Sequence, residues 1–226
     1  MGQQKRPRIE TAAALDLPSV IPVFPLAGVI LLPGAELPLN IFEPRYLAMT
    51  RDAIAGTQLI GMIQPSDPSD RSFEPPIYTT GCLGRLSNWS DTPDGRILVS
   101  LTGICRFEVE RELTERTTPY RQTIVRYDRY VDDLAREPCS PVDRSALTEA
   151  LQRFLAVQGV KADWSGIEDM QSDILVNALA MSVPFAPGEK QALLEAPTID
   201  DRARILITLL EMAAADTGGG DAPPVQ

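Results

Sequence analysis

The chain has 226 residues, 44% of them apolar, which is the make-up of an ordinary globular protein with enough material for one large domain or two small ones. Histidine is absent, and this removes imidazole acid–base catalysis, His-based triads and His-ligated zinc in one step. A net charge of −10, with acid in excess in both halves, opposes nucleic-acid binding, which needs a basic face to displace counterions.

Residues 1–18 are polar and Ala-rich, end in Pro18, and read as a flexible arm. No apolar run follows the basic residues of MGQQKRPRIE, so a signal peptide is not expected. Arg6 stands where the myristoylation pattern needs Ser or Thr. No stretch approaches the ~20 apolar residues of a membrane span. The expectation is a cytoplasmic chain without membrane association.

The run VIPVFPLAGVILLPGAELPLNIFEPRY, Val20 to Tyr46, is apolar but cut by Pro22, Pro25, Pro33, Pro38 and Pro44. Proline neither continues a helix nor donates within a central strand. The run therefore breaks into a strand near Val20–Phe24, a turn at Pro33-Gly34, a strand near Ala35–Phe42, and a helix opened by Glu43-Pro44. That helix is expected over Pro44–Ala55, stopped by Gly56. Gln58–Gln64 is a strand, and Pro65–Pro76 a loop.

From Thr80 the period is two. Gly81–Trp89 and Arg96–Thr102 flank a turn ending in Asp94-Gly95, a strong hairpin signal. Cys105, Phe107 and Val109 alternate with Arg106, Glu108 and Glu110 in a further strand, and Tyr120–Val131 supplies another. About six strands with one early helix suit a closed or nearly closed barrel.

At Cys139 the pattern becomes helical. Ser140-Pro141-Val142-Asp143 opens a helix with the stripe Leu147, Ala150, Leu151, Phe154, Leu155, ended by Gly159. Ser165 with Glu168 is expected to cap a second helix running to Pro184. Pro187–Ala196 is a third, and Thr198 with Asp201 caps a fourth, apolar on more than one face and therefore central. Residues 217–226 read as a disordered tail. The class is α+β, with a β part over 19–134 and a four-helix bundle over 135–216.

Several groupings invite chemistry. The cysteines Cys82, Cys105 and Cys139 are three, widely spaced and without a C-x-x-C; Cys82 and Cys105 read as buried small hydrophobes. The acid pairs Asp132-Asp133, Glu168-Asp169 and Asp200-Asp201 read as capping and solvated residues rather than cation ligands. Tyr120-Arg121 and Arg126-Tyr127-Asp128-Arg129-Tyr130 interleave aromatics with arginines, a pattern that stacks on bases or forms a lattice with Glu108 and Glu110. If this were strand, Arg121, Tyr127 and Arg129 would share one face, and Tyr120, Arg126 and Tyr130 the other. Trp89, near the hairpin end, either anchors a partner or covers the barrel mouth. In Glu43-Pro44-Arg45-Tyr46, Arg45 either faces the groove between barrel and helix, or pairs with an acid while Glu43 caps the helix and Tyr46 and Leu47 pack under it. The candidate interaction surface is accordingly Glu43, Arg45, Tyr46, Trp89, Arg126, Tyr127 and Tyr130.

Four segments together resemble the N-terminal, substrate-binding domain of Lon proteases, in a stand-alone bacterial form. They are IPVFPLAGVILLPGAELPLNIFEPRY, GCLGRL, ILVSLTGICRFEV, and the helical string ILVNALAMSVPFAPGEKQALLEAPTIDDRARILITLLE. The resemblance implies a PUA-like β-barrel followed by a helical bundle. It implies binding of unfolded or exposed polypeptide, in concert with a protease or chaperone as an adaptor in protein quality control. Catalysis is not expected. The dipeptide Gly-Lys does not occur, so no phosphate-cradling loop is present. The lysines are Lys5, Lys161 and Lys190 only, none in a Ser–Lys dyad. Neither cofactor nor metal is implied, and the role is ATP-independent. The alternatives are RNA binding through a PUA-like barrel and a small-molecule hydrolase using a carboxylate pair.

Overall fold

The prolines of the opening run divide it as the steric argument requires, into strands β1 (Val20–Pro25) and β2 (Glu36–Ile41) and helix α1 (Pro44–Ala55). The structure, a computed structural model, describes residues 17–67, 69–115, 117–135, 142–160 and 163–218. The expectations for most of the N-terminal arm, Cys139, Ser140-Pro141 and residues 219–226 lie outside the described residues. The chain divides into two compact units between Glu137 and Pro138.

The first unit continues with β3 (Leu59–Ile63), β4 (Thr80–Asp91), β5 (Ile97–Glu112), β6 (Gln122–Arg126) and a 3-10 helix, Asp128–Leu134. The strand order is β2-β5-β4-β3-β1-β6, and β5 also pairs with β6. Five strands therefore close into a ring, β5-β4-β3-β1-β6, with the β1–β3 pair parallel and the others antiparallel. β2 stands outside the ring, paired with the early half of β5 from Glu36↔Thr102 to Ile41↔Ile97. The two strands expected over Arg96–Thr102 and Cys105–Glu110 are one. Gly103 lets β5 pass under the loop before β2, accepting from Gly34 N and donating to Ala35 O at 2.9 Å each.

Inside the ring, Ile21, Val23, Leu59, Ile63, Leu83, Phe107 and Val125 form a buried cluster. Glycines make room for it. A Cβ at Gly81 would lie 2.4 Å from Phe107 Cζ and 2.6 Å from Met62 O, and one at Gly103 would lie 2.1 Å from Leu32 O. Leu31 and Leu32 are fully buried. The apolar centre of the opening run is thus core, fitted against glycines of β4 and β5.

Tyr127 does not extend β6. Its backbone (φ −116°, ψ −4°) turns into the 3-10 helix, so the strand alternation expected over Tyr120–Val131 ends at Arg126. A buried ion pair drives this. Asp133 accepts from Arg106 N, Nε and Nη2 at 2.9, 2.9 and 2.8 Å, and the guanidinium lies 4.3 Å from the Tyr130 ring. The segment gains these charge-assisted bonds only by folding back on β5.

The second unit holds five described helices: α2 (Arg144–Gln158), α3 (Trp164–Asp169), α4 (Ser172–Ser182), α5 (Pro187–Glu195) and α6 (Ile199–Gly218). The count exceeds the expected four because Met170 and Gln171 are extended (ψ 138° and 146°) and split the second helix. Asp143 caps α2 by accepting from Ala146 N, and Gly159 (φ 66°) ends it. Asp163 caps α3 in place of Ser165. Thr198 caps α6, with Asp201 N donating to its hydroxyl at 3.1 Å. α6 packs against α2, α4 and α5, and it reaches Gly218, past the expected start of the tail. Among the described residues, no helix is long and apolar enough to cross a membrane.

Candidate functional site

Strand β4 outlasts its partner β3. Their pairing ends at Leu59↔Arg85, followed by a bond from Leu86 N to Gln58 O at 2.8 Å. Beyond it, β2, the early half of β5 and the distal part of β4 make a three-stranded extension of the ring. A register shift between Leu86 and Asn88 resets the faces there. In the new register Pro38, Ser100 and Asn88 stand in one row, Leu39, Val99 and Trp89 in the next, and Asn40, Leu98 and Ser90 in the third.

These nine residues line a depression of about 420 Å³. None of them is charged. Asn40, Asn88, Ser90 and Ser100 offer amides and hydroxyls, which hydrogen-bond to either polar group of a peptide. Leu98, 46% exposed, and Pro38 share the face those four occupy, and Phe42, 62% exposed, lies just beyond with the Arg96 guanidinium 5.9 Å from its ring. Grouped on one face, such open apolar side chains mark interaction sites, whereas single ones are ordinary.

The residues singled out in the sequence scatter. Trp89 belongs to the depression, where the register places it opposite Val99 and leaves it 39% exposed, so it both flanks the core side and meets solvent. Tyr46 is buried at 5% exposure, with its ring 4.1 Å from that of Phe24, and is core rather than surface. Tyr130, 3% exposed under Arg106, is core for the same reason. Tyr127 is half-buried and donates to Pro18 O at 2.9 Å, while Arg126 is exposed at the end of β6. Glu43 makes no capping bond and pairs with Arg45 instead. Arg45 also donates to Phe73 O at 2.7 Å and lies between the Tyr46 and Phe73 rings, at 4.6 and 4.5 Å, so it pins the Pro65–Pro76 loop to α1.

The aromatic–arginine pattern is likewise taken up internally. Arg121 is buried and bidentate to Glu112, at 2.8 and 2.6 Å, and Arg129 pairs with Glu108 at 3.1 Å. Tyr120 donates to Asp52 at 2.8 Å, and burial together with that carboxylate pushes its hydroxyl up to about 12. The acid pairs are apart too: Asp133 on Arg106, Asp200 on Arg204, Asp201 on Thr198. Among the described residues no group of three metal-ligating side chains gathers. Burial pushes the Cys105 thiol up to about 12, far from a reactive thiolate.

What sequence reasoning missed is the open face of β2 and the early half of β5. The signal was Leu98, an apolar residue out of phase between Ile97 and Val99 in a strand whose buried face is Ile97, Val99 and Leu101.

Residues 20–212 match the family model described as the ATP-dependent protease La (LON) substrate-binding domain. The Lon protease of Roseiflexus castenholzii is 26% identical over 200 residues, 87% of this chain and 24% of that protein. That of Parabacteroides distasonis is 30% identical over 196 residues, 84% of this chain and 23% of that protein. The chain thus spans about a quarter of the curated relatives it matches. Among solved structures, the Lon N-terminal domain protein from Xanthomonas campestris superposes with a TM-score of 0.56 at 23% identity, covering 84% of this chain and 97% of that one. The N-terminal domain of the Mycobacterium avium complex Lon protease gives 0.58 at 17% identity with the same coverages.

Proposed function

The chain belongs to the LON substrate-binding domain family, a substrate-recognition module, and from that premise we propose that it binds exposed polypeptide segments at the depression formed by β2, β5 and β4. One observation carries the choice of surface: in a chain of net charge −10, this depression is lined by uncharged residues alone. Side-chain amides and hydroxyls take the main chain of a partner whatever its sequence, and Leu98, Pro38 and Phe42 take apolar side chains. Such a surface recognises the unfolded condition rather than one motif. The reading takes recognition from the family and leaves the cutting of polypeptide to the longer relatives. A cytoplasmic adaptor role in quality control, independent of ATP, follows from it.

The test is a titration of a permanently unfolded protein, reduced and carboxymethylated lactalbumin carrying a fluorescent dye, read by the dye's anisotropy as the chain is added. The expected result is saturable binding that weakens about tenfold in Leu98→Ser, the scale of losing one well-packed apolar contact. Absence of binding up to roughly 10⁻⁴ M, an affinity below that of useful recognition, would sink the proposal.

A further inference from the structure

The extension has two unpaired edges, and their chemistry differs. On β2, Gly103 N donates to Ala35 O, so Ala35 faces β5. By antiparallel alternation Leu37, Leu39 and Ile41 face β5 as well, and Glu36, Pro38 and Asn40 turn their main-chain groups to the open side. The middle position there is a proline, with no N–H to give. On β4, the bond from Thr92 N to Arg96 O at 2.9 Å sets the phase. Ser90 and Asn88 then face β5, and Trp89 and Asp91 direct N–H and C=O outward, where no described strand pairs beyond Arg85. Elsewhere in the unit β1, β3 and β6 each have a partner on both sides.

We infer that the bound polypeptide docks as an added strand on the distal edge of β4, through the main-chain groups of Trp89 and Asp91, and that Pro38 closes the edge of β2 to the same mode. This rests on the function proposed above. Strand addition draws its affinity from the main chain and its selectivity from alternate side chains. The residue placed beside Trp89 packs on the half-exposed indole. The charge of the occupant follows from the rim. Asp91 is exposed and its contact with exposed Arg51 is 4.0 Å long, a surface pair that yields readily. With the chain at −10, the edge favours an extended, alternately apolar segment bearing basic rather than acidic residues.

The probe is a nine-residue peptide, Lys-Val-Thr-Val-Lys-Val-Thr-Val-Lys, with two N-methylated versions in which alternate sets of amides are blocked. On the wild-type chain, one methylated version should lose binding about tenfold or more, the scale of two lost hydrogen bonds, and the other should retain it. Asp91→Pro, which removes one outward donor, should weaken the unmodified peptide comparably. Glu36→Pro, the equivalent change on the edge of β2, should leave it within about twofold, as expected of a site it does not touch. Trp89 and Asp91 amides should become protected from hydrogen exchange on binding. If lactalbumin binds but both methylated peptides bind like the parent, strand addition is wrong and the proposed function stands. If neither probe binds, both fail. A concentration-dependent dimer lost in Asp91→Pro, without peptide capture, would give the edge to a second copy and overturn the inference.

Discussion

From Cys105 to Glu112, β5 pairs with β4 up to Glu108 and with β6 from Glu108 onward, Cys105 and Phe107 are fully buried, and Gly61 and Gly81 leave room for the Phe107 ring. Between Ile97 and Thr102 the same strand is flanked by β2 and the distal part of β4, and Leu98 stands 46% exposed. The ring satisfies its edges by closing, and the extension leaves two edges and one face without a partner among the described residues. A single strand thus carries both the part that holds the unit together and the part free to bind. Changes in the ring should cost stability, and changes in the extension should cost binding.

The largest effect is expected at Gly103→Ala, where a Cβ would meet the main-chain oxygen of Leu32 at 2.1 Å with no flexible side chain to yield. Chemical denaturation should show a loss of about 3 kcal/mol or more, the range of severe overpacking. Next comes Asp133→Ala, which takes three hydrogen bonds and an opposite charge from Arg106, whose side chain is only 5% exposed. Breaking such a pair should cost about 3 kcal/mol. A near-neutral result would break the comparison, because the 3-10 helix would then be an ornament of the ring.

Alkaline pH should separate the regions differently. The hydroxyl of Tyr120 titrates higher in the folded chain, near 12, than its ordinary value of 10.0, because burial and Asp52 oppose its ionisation. A raised acid contributes stability that is complete below pH 10 and is lost as pH rises toward 12. Denaturation midpoints measured from pH 8 to 11.5 should fall above about 10, and Tyr120→Phe should flatten the fall. Burial raises Tyr46 and Tyr127 as well, so the variant should keep part of the fall, and an undiminished fall would assign it to those two.

A smaller effect of opposite sign is expected at Thr123→Val. The Thr123 hydroxyl is fully buried without a hydrogen-bond partner among the described residues, so an apolar group of the same shape should stabilise by about 0.5–1 kcal/mol. Phe42→Ser closes the series. Its ring is 62% exposed, and stability should change by no more than about 0.5 kcal/mol while lactalbumin binding weakens. Equal losses of stability and binding would show that the extension is part of the ring's fold.

Much of the fold is legible in the sequence. Prolines at 22, 25, 33, 38 and 44 dictated short strands and a helix starting at Pro44, because a missing N–H and a fixed φ act locally. The alternation around Cys105–Val109, the Asp94-Gly95 turn and the apolar stripes of α2 and α6 are local too, and so is the absence of histidine. Tertiary structure alone decided what depends on distant partners. The 3-10 helix over Asp128–Leu134 exists because Arg106, far away in sequence, holds Asp133, whereas Tyr120–Val131 by itself reads as a strand. Glu43-Pro44-Arg45-Tyr46 left Tyr46 between an interaction surface and a place packed under the helix, and Phe24 across the fold settles it as core. The depression was invisible for the same reason. Its nine residues come from three strands, and the register shift at Leu86/Asn88 that aligns Trp89 with Val99 and Leu39 is a property of pairing, which no stretch of sequence specifies alone.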